Sequence, residues 1–397
     1  MARREYTQHN QIDKRKHASA SAGRREKPTE TRRRNDHART ERSAAPKRGG
    51  DSAPGENRRA GEREQIKRTS VAWTAAGVAA RDWAQPVAVS VETEAQLAEV
   101  LKHDAVALVY LDEACFTDFA VLIRRVHAAG KQAGLRLRRI ERDLDASGRK
   151  AENSAELLGA LWQAESLPDV LLVRNLDEAM LLEDFFAAYP ELKGRIRRNF
   201  DYTVYGYNQE AIRALASLGA DGLTYPIELT YHECRKLWEQ LRSGGTAGGR
   251  GTNVEAVDGK RAAVPAAARA GADAEADSIG LGELPFELMI YGHLPMMVSA
   301  NCIQRTSARC DHGNRILQLR DRMGKDMPVR CYCTYCYNQI FNAEPLVLYD
   351  LPDEVSALQP QCLRYDFSVE PAAVVRQVLE GAVPRNMTRG HFRHGIE

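Results

Sequence analysis

The chain has 397 residues and a formal net charge of +2 at pH 7, and this near balance hides an uneven distribution. Residues 1–70 carry 20 Lys and Arg against 10 Asp and Glu, whereas the rest of the chain carries 36 against 44. No apolar run is long enough to cross a membrane and no apolar segment follows the N-terminal charges, so the sequence argues against a membrane protein and a secretory signal. We expect a cytoplasmic protein.

Residues 1–75 are predicted to form a disordered basic tail. The first 70 residues contain no Leu, Val, Phe, Trp or Cys, so they have almost nothing apolar to bury against the entropy cost of ordering. Basic runs such as 14–16 and 32–34 could hold RNA through counterion release. A solvated extension is the alternative interpretation, because no aromatic residues are interleaved with these runs for base stacking.

From Pro86 onward, short apolar runs alternate with helical patterns, which indicates parallel strands joined by crossover helices. The predicted strands are 87–91, 105–111, 135–140, 170–174, 201–205, 222–225 and 287–291, and the predicted helices are 94–102, 116–129, 155–165, 176–189, 209–218 and 230–242. Strands of this kind are buried on both faces, and no Gly-rich phosphate loop follows the first one. The pattern therefore favours an α/β fold with a (β/α) barrel. An eighth strand is not apparent, which leaves barrel closure open.

The chain divides into three parts in this interpretation. The tail is followed by a barrel-like region at 85–300, in which a Gly- and Ala-rich stretch at 243–280 is predicted to be a flexible insertion. The remaining part, 301–397, is a Cys-rich segment. Polar residues such as Arg174, Asn175 and Glu228 follow predicted strands, and the C-terminal ends of barrel strands form the working face of such folds.

The cysteine spacing predicts a metal site in the C-terminal third. Seven residues separate Cys302 from Cys310, two separate Cys333 from Cys336, and Cys331 is a fifth candidate. Short loops that each carry two thiolates can converge on one soft metal. Four thiolates suit a 4Fe-4S cluster and structural zinc alike, so the spacing leaves both open. One wide pair and one tight pair favour iron-sulfur over a zinc ribbon.

Four separated motifs resemble a known family. They are EXXXXG at 287–292, LPMMVSANC at 294–302, CXXCYN at 333–338 and TRGHFRHGIE at 388–397. Over about residues 85–397 the chain resembles the collagenase-like peptidase family U-thirty-two, in its clostridial branch. The resemblance implies an α/β barrel and a 4Fe-4S cluster held by Cys302, Cys310, Cys333 and Cys336, with Cys331 as an alternative ligand.

The resemblance also implies a range of activities. Relatives act in oxygen-independent hydroxylation of RNA bases or of the ubiquinone ring, whereas the family name records proteolysis. Full-length members carry an additional N-terminal half, and here a basic tail takes that place. The sequence therefore does not decide whether a partner subunit completes the barrel, or which electron donor would serve a redox reaction.

Three functions are compatible with these observations. The first is an iron-sulfur enzyme of the hydroxylase type that acts on an RNA base or a small aromatic ring, the second is a peptidase, and the third is an RNA-binding protein with structural zinc. No GXSXG or HEXXH motif supports proteolysis. The catalytic candidates are Glu228, Glu287 and His391, and the substrate-binding candidates are Arg174, Asn175 and Arg322.

Overall fold

The computed structural model describes residues 73–75, 77–243, 280–306 and 310–394. The predicted tail and the insertion predicted at 243–280 lie outside the described residues, apart from their margins. At the margin of the tail the prediction is wrong, because Trp73–Ala75 form strand β1, which pairs antiparallel with β15 (Ala382–Pro384). The tail prediction included these residues because a single Trp gives little apolar signal.

Eight parallel strands form a closed barrel. They are β2 (Val87–Val91), β3 (Val106–Asp112), β4 (Gln132–Arg136), β5 (Val170–Val173), β6 (Arg197–Phe200), β7 (Gly222–Thr224), β8 (Phe286–Gly292) and β14 (Cys362–Asp366). Strands β2 to β8 pair in chain order, and β14 pairs with both β8 and β2, which closes the ring. The predicted α/β barrel is confirmed, and the closure that the sequence left open is supplied by β14.

Helices connect the strands, and all but the four-residue helix Ile303–Thr306, which lies in the insertion after β8, pack on the outside of the barrel. They are α1 (Glu94–Val100), α2 (Phe119–Ala128), α3 (Ser154–Gln163), α4 (Leu176–Ala188), α5 (Gln209–Ser217), α6 (Tyr231–Arg242), α7 (Ile303–Thr306), α8 (Pro352–Ala357) and α9 (Ala372–Leu379). Capping boxes at Thr93, Asn153 and Thr230 fix the starts of α1, α3 and α6, since each cap side chain accepts the backbone N–H three residues on. None of the helices in the described segments has the length and apolar character needed to cross a bilayer.

An antiparallel sheet is inserted between the seventh and eighth barrel strands. It comprises β9 (Pro295–Ser299), β10 (Ile316–Arg320), β11 (Asp326–Tyr332) and β12 (Tyr337–Phe341), in the order β10-β11-β12-β9. A short strand, β13 (Leu346–Val347), then pairs with β8. We call β9–β12 the lid sheet. The predicted boundary at residue 300 therefore does not mark the end of the barrel, because β14 and α9 lie beyond it and return to the barrel.

Two strand predictions are shifted. The third barrel strand is Gln132–Arg136 rather than 135–140, and the fifth is Arg197–Phe200 rather than 201–205. Residues Tyr202–Val204 instead form a short 3-10 helix beyond the strand end. Each of the two observed strands contains polar residues that face the barrel interior. The prediction missed the strand limits because it relied on apolar residues.

The lower half of the barrel interior is filled around one tyrosine. Tyr110 packs with Ala88, Leu108, Val170 and Leu172 in a cluster inside the barrel. A Cβ atom added to Gly134, on the neighbouring strand β4, would lie 2.4 Å from the Tyr110 ring. Glycine at this position therefore lets the ring cross the barrel.

We expect Gly134→Ala to lower the free energy of unfolding by about 1–3 kcal/mol, because the ring is enclosed and has little room to move. Gly159, in helix α3, is the matched control, because a Cβ atom there meets nothing within 4 Å. Gly159→Ala should be neutral or stabilising by up to about 1 kcal/mol. Urea unfolding of both variants measures the difference, and equal stabilities would contradict the packing role of Gly134.

Candidate active site at the barrel mouth

Charged side chains fill the C-terminal half of the barrel interior. Successive side chains of a strand point to opposite faces, so Ser90 and Glu92 on one strand and Arg364 and Asp366 on another share the inner face. The acidic members of this set are Glu92, Asp112, Asp201, Glu287 and Asp366, and the basic members are Arg136, Arg174, Arg330 and Arg364. We call them the ionic network. Each of these side chains is at most 7% exposed.

Arg364, on β14, is the hub of the network. Its guanidinium nitrogens lie 2.7 Å from Asp201 Oδ1, 2.5 Å from Glu287 Oε1 and 2.9 Å from Asp366 Oδ1. The three carboxylates together engage the Nε and both Nη atoms of the planar guanidinium group. The eighth strand therefore closes the barrel and also supplies the cation that compensates three buried acids.

Arg136 and Arg174 link the remaining acids. Arg136 Nη1 lies 3.2 Å from Glu92 Oε1 and 3.7 Å from Asp112 Oδ2, and Arg174 Nη1 lies 3.4 Å from the same Asp112 oxygen. Arg174 Nη2 is buried without a hydrogen-bond partner among the described residues. Buried donors normally have partners, so this atom marks a place where the network leaves a polar group unsatisfied.

Burial and charge pairing set the protonation of the acids in opposite directions. Burial raises the pKa of Glu92 to about 7, against the opposing attraction of Arg330. Burial likewise raises the pKa of Glu287, although Arg364 opposes it. Burial alone would also raise the pKa of Asp201, but Arg364 and Arg174 bring it below its ordinary value. The mouth thus holds carboxyl groups in both protonation states near neutral pH.

The lid sheet is fastened to this network through strand β11. Arg330 Nε lies 3.1 Å from Glu92 Oε2, and the Tyr332 hydroxyl donates to Glu92 Oε1 at 3.1 Å. The Tyr332 ring stacks on Tyr337 at 4.7 Å between centroids. The Tyr335 ring lies 4.4 Å from the guanidinium carbon of Arg138, beyond the end of β4. These contacts seat the lid sheet over strands β2 to β4.

Cys115 lies beside the same attachment. Its thiol donates to Glu92 Oε2 at 3.6 Å and accepts from Arg330 Nη2 at 3.6 Å. Burial raises the pKa of Cys115 far above its ordinary value, and the nearby charge of Glu92 adds to the effect. The thiol therefore stays protonated and serves as a hydrogen-bond donor rather than as a thiolate nucleophile.

The five clustered cysteines lie in the lid sheet and its connections: Cys331 is on β11, Cys333 and Cys336 are in the turn to β12, and Cys302 and Cys310 lie between β9 and β10. Burial raises the pKa of Cys333 to about 12, and the charges of Cys331, Cys302, Cys310 and Cys336 add to this effect. Charge interactions act over long distances, so the convergence of the two predicted pairs on one centre stays a prediction. All eight cysteines of the chain are free thiols.

Thiols are chemically suited to bind an iron-sulfur cluster or a zinc ion. Four or five thiols from separate segments are the ligands that iron-sulfur clusters and zinc require. The thiols make hydrogen bonds instead: Cys333 Sγ donates to the Gly313 carbonyl at 3.1 Å and accepts from Gln304 Nε2 at 3.6 Å. Within the described segments, no three His, Cys, Asp or Glu side chains adopt an arrangement that could hold a metal ion. The identity of the thiols therefore supports a metal centre, whereas their geometry does not.

Alternation along β11 separates the thiols from the mouth. Arg330 and Tyr332 point to Glu92, and Cys331, which lies between them, points to the opposite face of the strand. The thiol cluster therefore lies across the lid sheet from the ionic network rather than inside the mouth.

The three catalytic candidates occupy different places. Glu287 lies inside the barrel near the start of β8, where it accepts from the Tyr110 hydroxyl at 3.2 Å. Glu228 follows β7 and accepts from the Tyr207 hydroxyl at 2.5 Å. His391 is half-buried in the C-terminal segment. That segment bridges Leu346, which pairs with Gly292 at the C-terminal end of β8. Among the described residues these three side chains share no hydrogen bond or ion pair, so they do not form one catalytic group.

The substrate-binding candidates also differ. Arg174 belongs to the ionic network, and its Nη2 is buried without a hydrogen-bond partner among the described residues. Asn175 caps α4 by accepting from the Glu178 N–H, and its amide group donates to the Arg138 carbonyl at 3.0 Å, so both of its polar ends are used structurally. Arg322 is exposed in the turn between β10 and β11.

Most of the ionic network was missed by sequence reasoning. Glu92, Arg136 and Asp366 each lie at or just past a strand end, which is the signal that identified Arg174. Arg364 gave no such signal, because its strand was not recognised. Counting alternate positions from the apolar residues of β2 would have placed Glu92 on the inner face.

We expect Arg364→Met to lower the free energy of unfolding by about 3–5 kcal/mol, because it leaves three buried carboxyl groups without their common partner. Arg376→Met is the control: Arg376 pairs with Glu99 on the surface and is 54% exposed, so its removal should cost about 0–1 kcal/mol. Chemical unfolding at neutral pH measures both. Equal losses would contradict the central place of Arg364.

The raised pKa of Glu92 predicts a pH dependence of stability. The folded carboxyl titrates near 7 and the unfolded one near 4.5, so its stabilising contribution is fully present below about pH 4.5 and is lost as the pH rises through about 7. Glu92→Gln should reduce this slope by up to about 1.4 kcal/mol per pH unit. Glu113→Gln should act in the same direction, because burial raises the pKa of Glu113 to about 7 as well. An unchanged slope between about pH 5 and about pH 7, measured by urea unfolding, would contradict the assignment.

Comparisons with known proteins identify no family for this chain, and the structural likenesses are too weak to support an argument. No family model matches the chain, and no curated protein is significantly similar to it. Among solved structures it is similar to the 3-dehydroquinate dehydratase from Aquifex aeolicus VF5, with 17% identity, 40% of this chain and 74% of that chain covered, and a TM-score of 0.28. It is also similar to the Bacillus cereus spore cortex-lytic enzyme SleL, with 7% identity, 77% and 75% covered, and a TM-score of 0.34. Neither likeness bears on what this chain does.

Proposed function

We propose that this chain belongs to the collagenase-like peptidase family U-thirty-two and is an enzyme of the oxygen-independent hydroxylase type. In this proposal it carries a thiolate-bound iron-sulfur cluster and acts on an RNA base or a small aromatic ring. The proposal is supported by the thiol set itself: five thiols lie in or between the strands of the lid sheet, which is bound to the charged barrel mouth through Arg330 and Tyr332.

The ligands in this proposal are Cys302, Cys310, Cys333 and Cys336, and Cys331 is the alternative. The chemistry that such a cluster supplies is one-electron transfer. Cys331 is fully buried, whereas Cys310 is exposed, so the thiol set reaches from the lid sheet to the solvent. An external electron donor would approach at the Cys310 side.

The residues of the mouth would bind and orient the substrate. Arg174 offers a buried donor without a partner, and Glu92 lies beside it in the network with a pKa of about 7. A carboxyl with that pKa can hold or accept a proton at physiological pH. The dry, enclosed setting strengthens both interactions.

Anaerobic purification followed by iron, sulfide and zinc analysis tests the proposal. We expect about four irons and about four sulfides per chain, with visible absorption and an electron paramagnetic resonance signal on reduction. Cys333→Ser should lose most of the iron, and Cys331→Ser tests the alternative ligand. Cys362→Ser is the matched control, because Cys362 lies at the start of β14, at the opposite end of the barrel.

Two results would contradict the proposal. One zinc per chain without iron would assign the thiols to a structural site. Equal iron content in Cys333→Ser and in the wild type would show that these thiols do not hold the iron.

A further inference from the structure

One residue at the barrel mouth combines two unfavourable features. Tyr205 lies in the loop after β6 with φ 61° and ψ 50°, in the left-handed region that bulky residues rarely occupy. Among the described residues it is also the only Phe, Tyr or Trp that is exposed, at 53%. Strained backbone that persists at a surface is characteristic of functional sites.

The loop holds the Tyr205 ring in a fixed place. The Tyr205 N–H donates to the Tyr202 carbonyl at 3.2 Å, and the Tyr207 N–H donates to the Tyr205 carbonyl at 2.8 Å. The Tyr207 ring meets the Tyr205 ring edge-on, with 5.6 Å between centroids and 80° between planes. The Tyr207 hydroxyl is anchored on Glu228. Tyr205 is therefore braced from one side, which leaves ring surface free for another molecule.

The position of this ring complements that of the lid sheet. The lid sheet contacts Glu92, Cys115 and Arg138, which follow β2, β3 and β4. Strand β6 lies across the barrel from β2 in the closed ring. Tyr205 thus stands on the side of the mouth away from these contacts, four residues beyond Asp201 of the ionic network.

We propose that Tyr205 is a stacking platform for a planar ring, through which the substrate is held at the mouth. The proposal rests on the mouth being the active site, and it deepens the proposed function by assigning the residue that recognises the ring. An aromatic face offers stacking to any planar ring, while its strained, braced backbone lowers the entropy lost on binding. A nucleobase and a quinone ring share this chemistry.

Tyr205→Gly separates a binding role from a structural one. Glycine adopts the left-handed conformation without a Cβ penalty, so the melting temperature should stay unchanged or rise. Loss of the ring should weaken binding by about tenfold to about a hundredfold, as for other base-stacking aromatic residues. Tyr205→Phe should retain the affinity. Val121→Ala, on the outer face of α2 and 57% exposed, is the control for loss of an exposed apolar side chain.

The probes are a labelled single-stranded RNA oligonucleotide and a water-soluble sulfonated naphthoquinone, each titrated into the anaerobically purified full chain. Weakened binding of either probe in Tyr205→Gly alone supports the platform, and the probe affected identifies the source of the ring. Three results would overturn the platform. The first is equal affinity in Tyr205→Gly and the wild type, the second is a wild type that binds neither probe, and the third is a lower melting temperature of the glycine variant. Iron content is measured in the same samples: an iron-free protein with Tyr205-dependent binding overturns only the cluster, and an iron-loaded protein without such binding overturns only the platform.

Discussion

The closed barrel depends on the mutual compensation of charges that it buries. Five carboxyl groups and four guanidinium groups lie inside or directly above it, where an unpaired charge would cost several kcal/mol. Acids outnumber bases by one, and burial raises the pKa of Glu92 to about 7, so this carboxyl can take up a proton near neutral pH and remove the excess charge. The apolar side chains on the outer face of the strands pack against the helices. The charged side chains on the inner face restrict the positions of the residues at the mouth.

The same network decides where the lid sheet sits. Arg330 is the only basic member that comes from outside the barrel, and its partner Glu92 also receives the Tyr332 hydroxyl. Docking Arg330 and Tyr332 downward forces Cys331 to face upward, because a strand alternates its side chains. One local rule thus fixes the attachment of the lid sheet and the face on which the thiols gather.

The sequence predicted the parts of the fold that depend on apolar periodicity. The strand Val87–Val91 and the starts of α1, α4 and α5 agree with the predicted limits, since buried apolar runs and caps define them. Strand β14 was missed because Arg364 and Asp366 occupy its inner face, where the pattern requires apolar residues. The spacing of the thiols predicts a shared metal centre, and this stays a prediction. The ionic network was not predictable, because its members lie on or just after eight strands far apart in the chain, and only barrel closure and the docking of the lid sheet bring them together.

The separation of thiols and mouth by one strand constrains any reaction at this site. A centre held on the upper face of β11 is kept from direct contact with a molecule bound beside Arg174 as long as Arg330 and Tyr332 stay bound to Glu92. Electrons can cross a single strand, whereas transfer of an atom or group between the two places requires the lid sheet to move. Since Glu92 titrates near neutral pH, its protonation weakens the ion pair with Arg330 that holds the lid sheet down. In the proposed function, the thiol centre would therefore supply electrons, and substrate recognition would fall to the mouth.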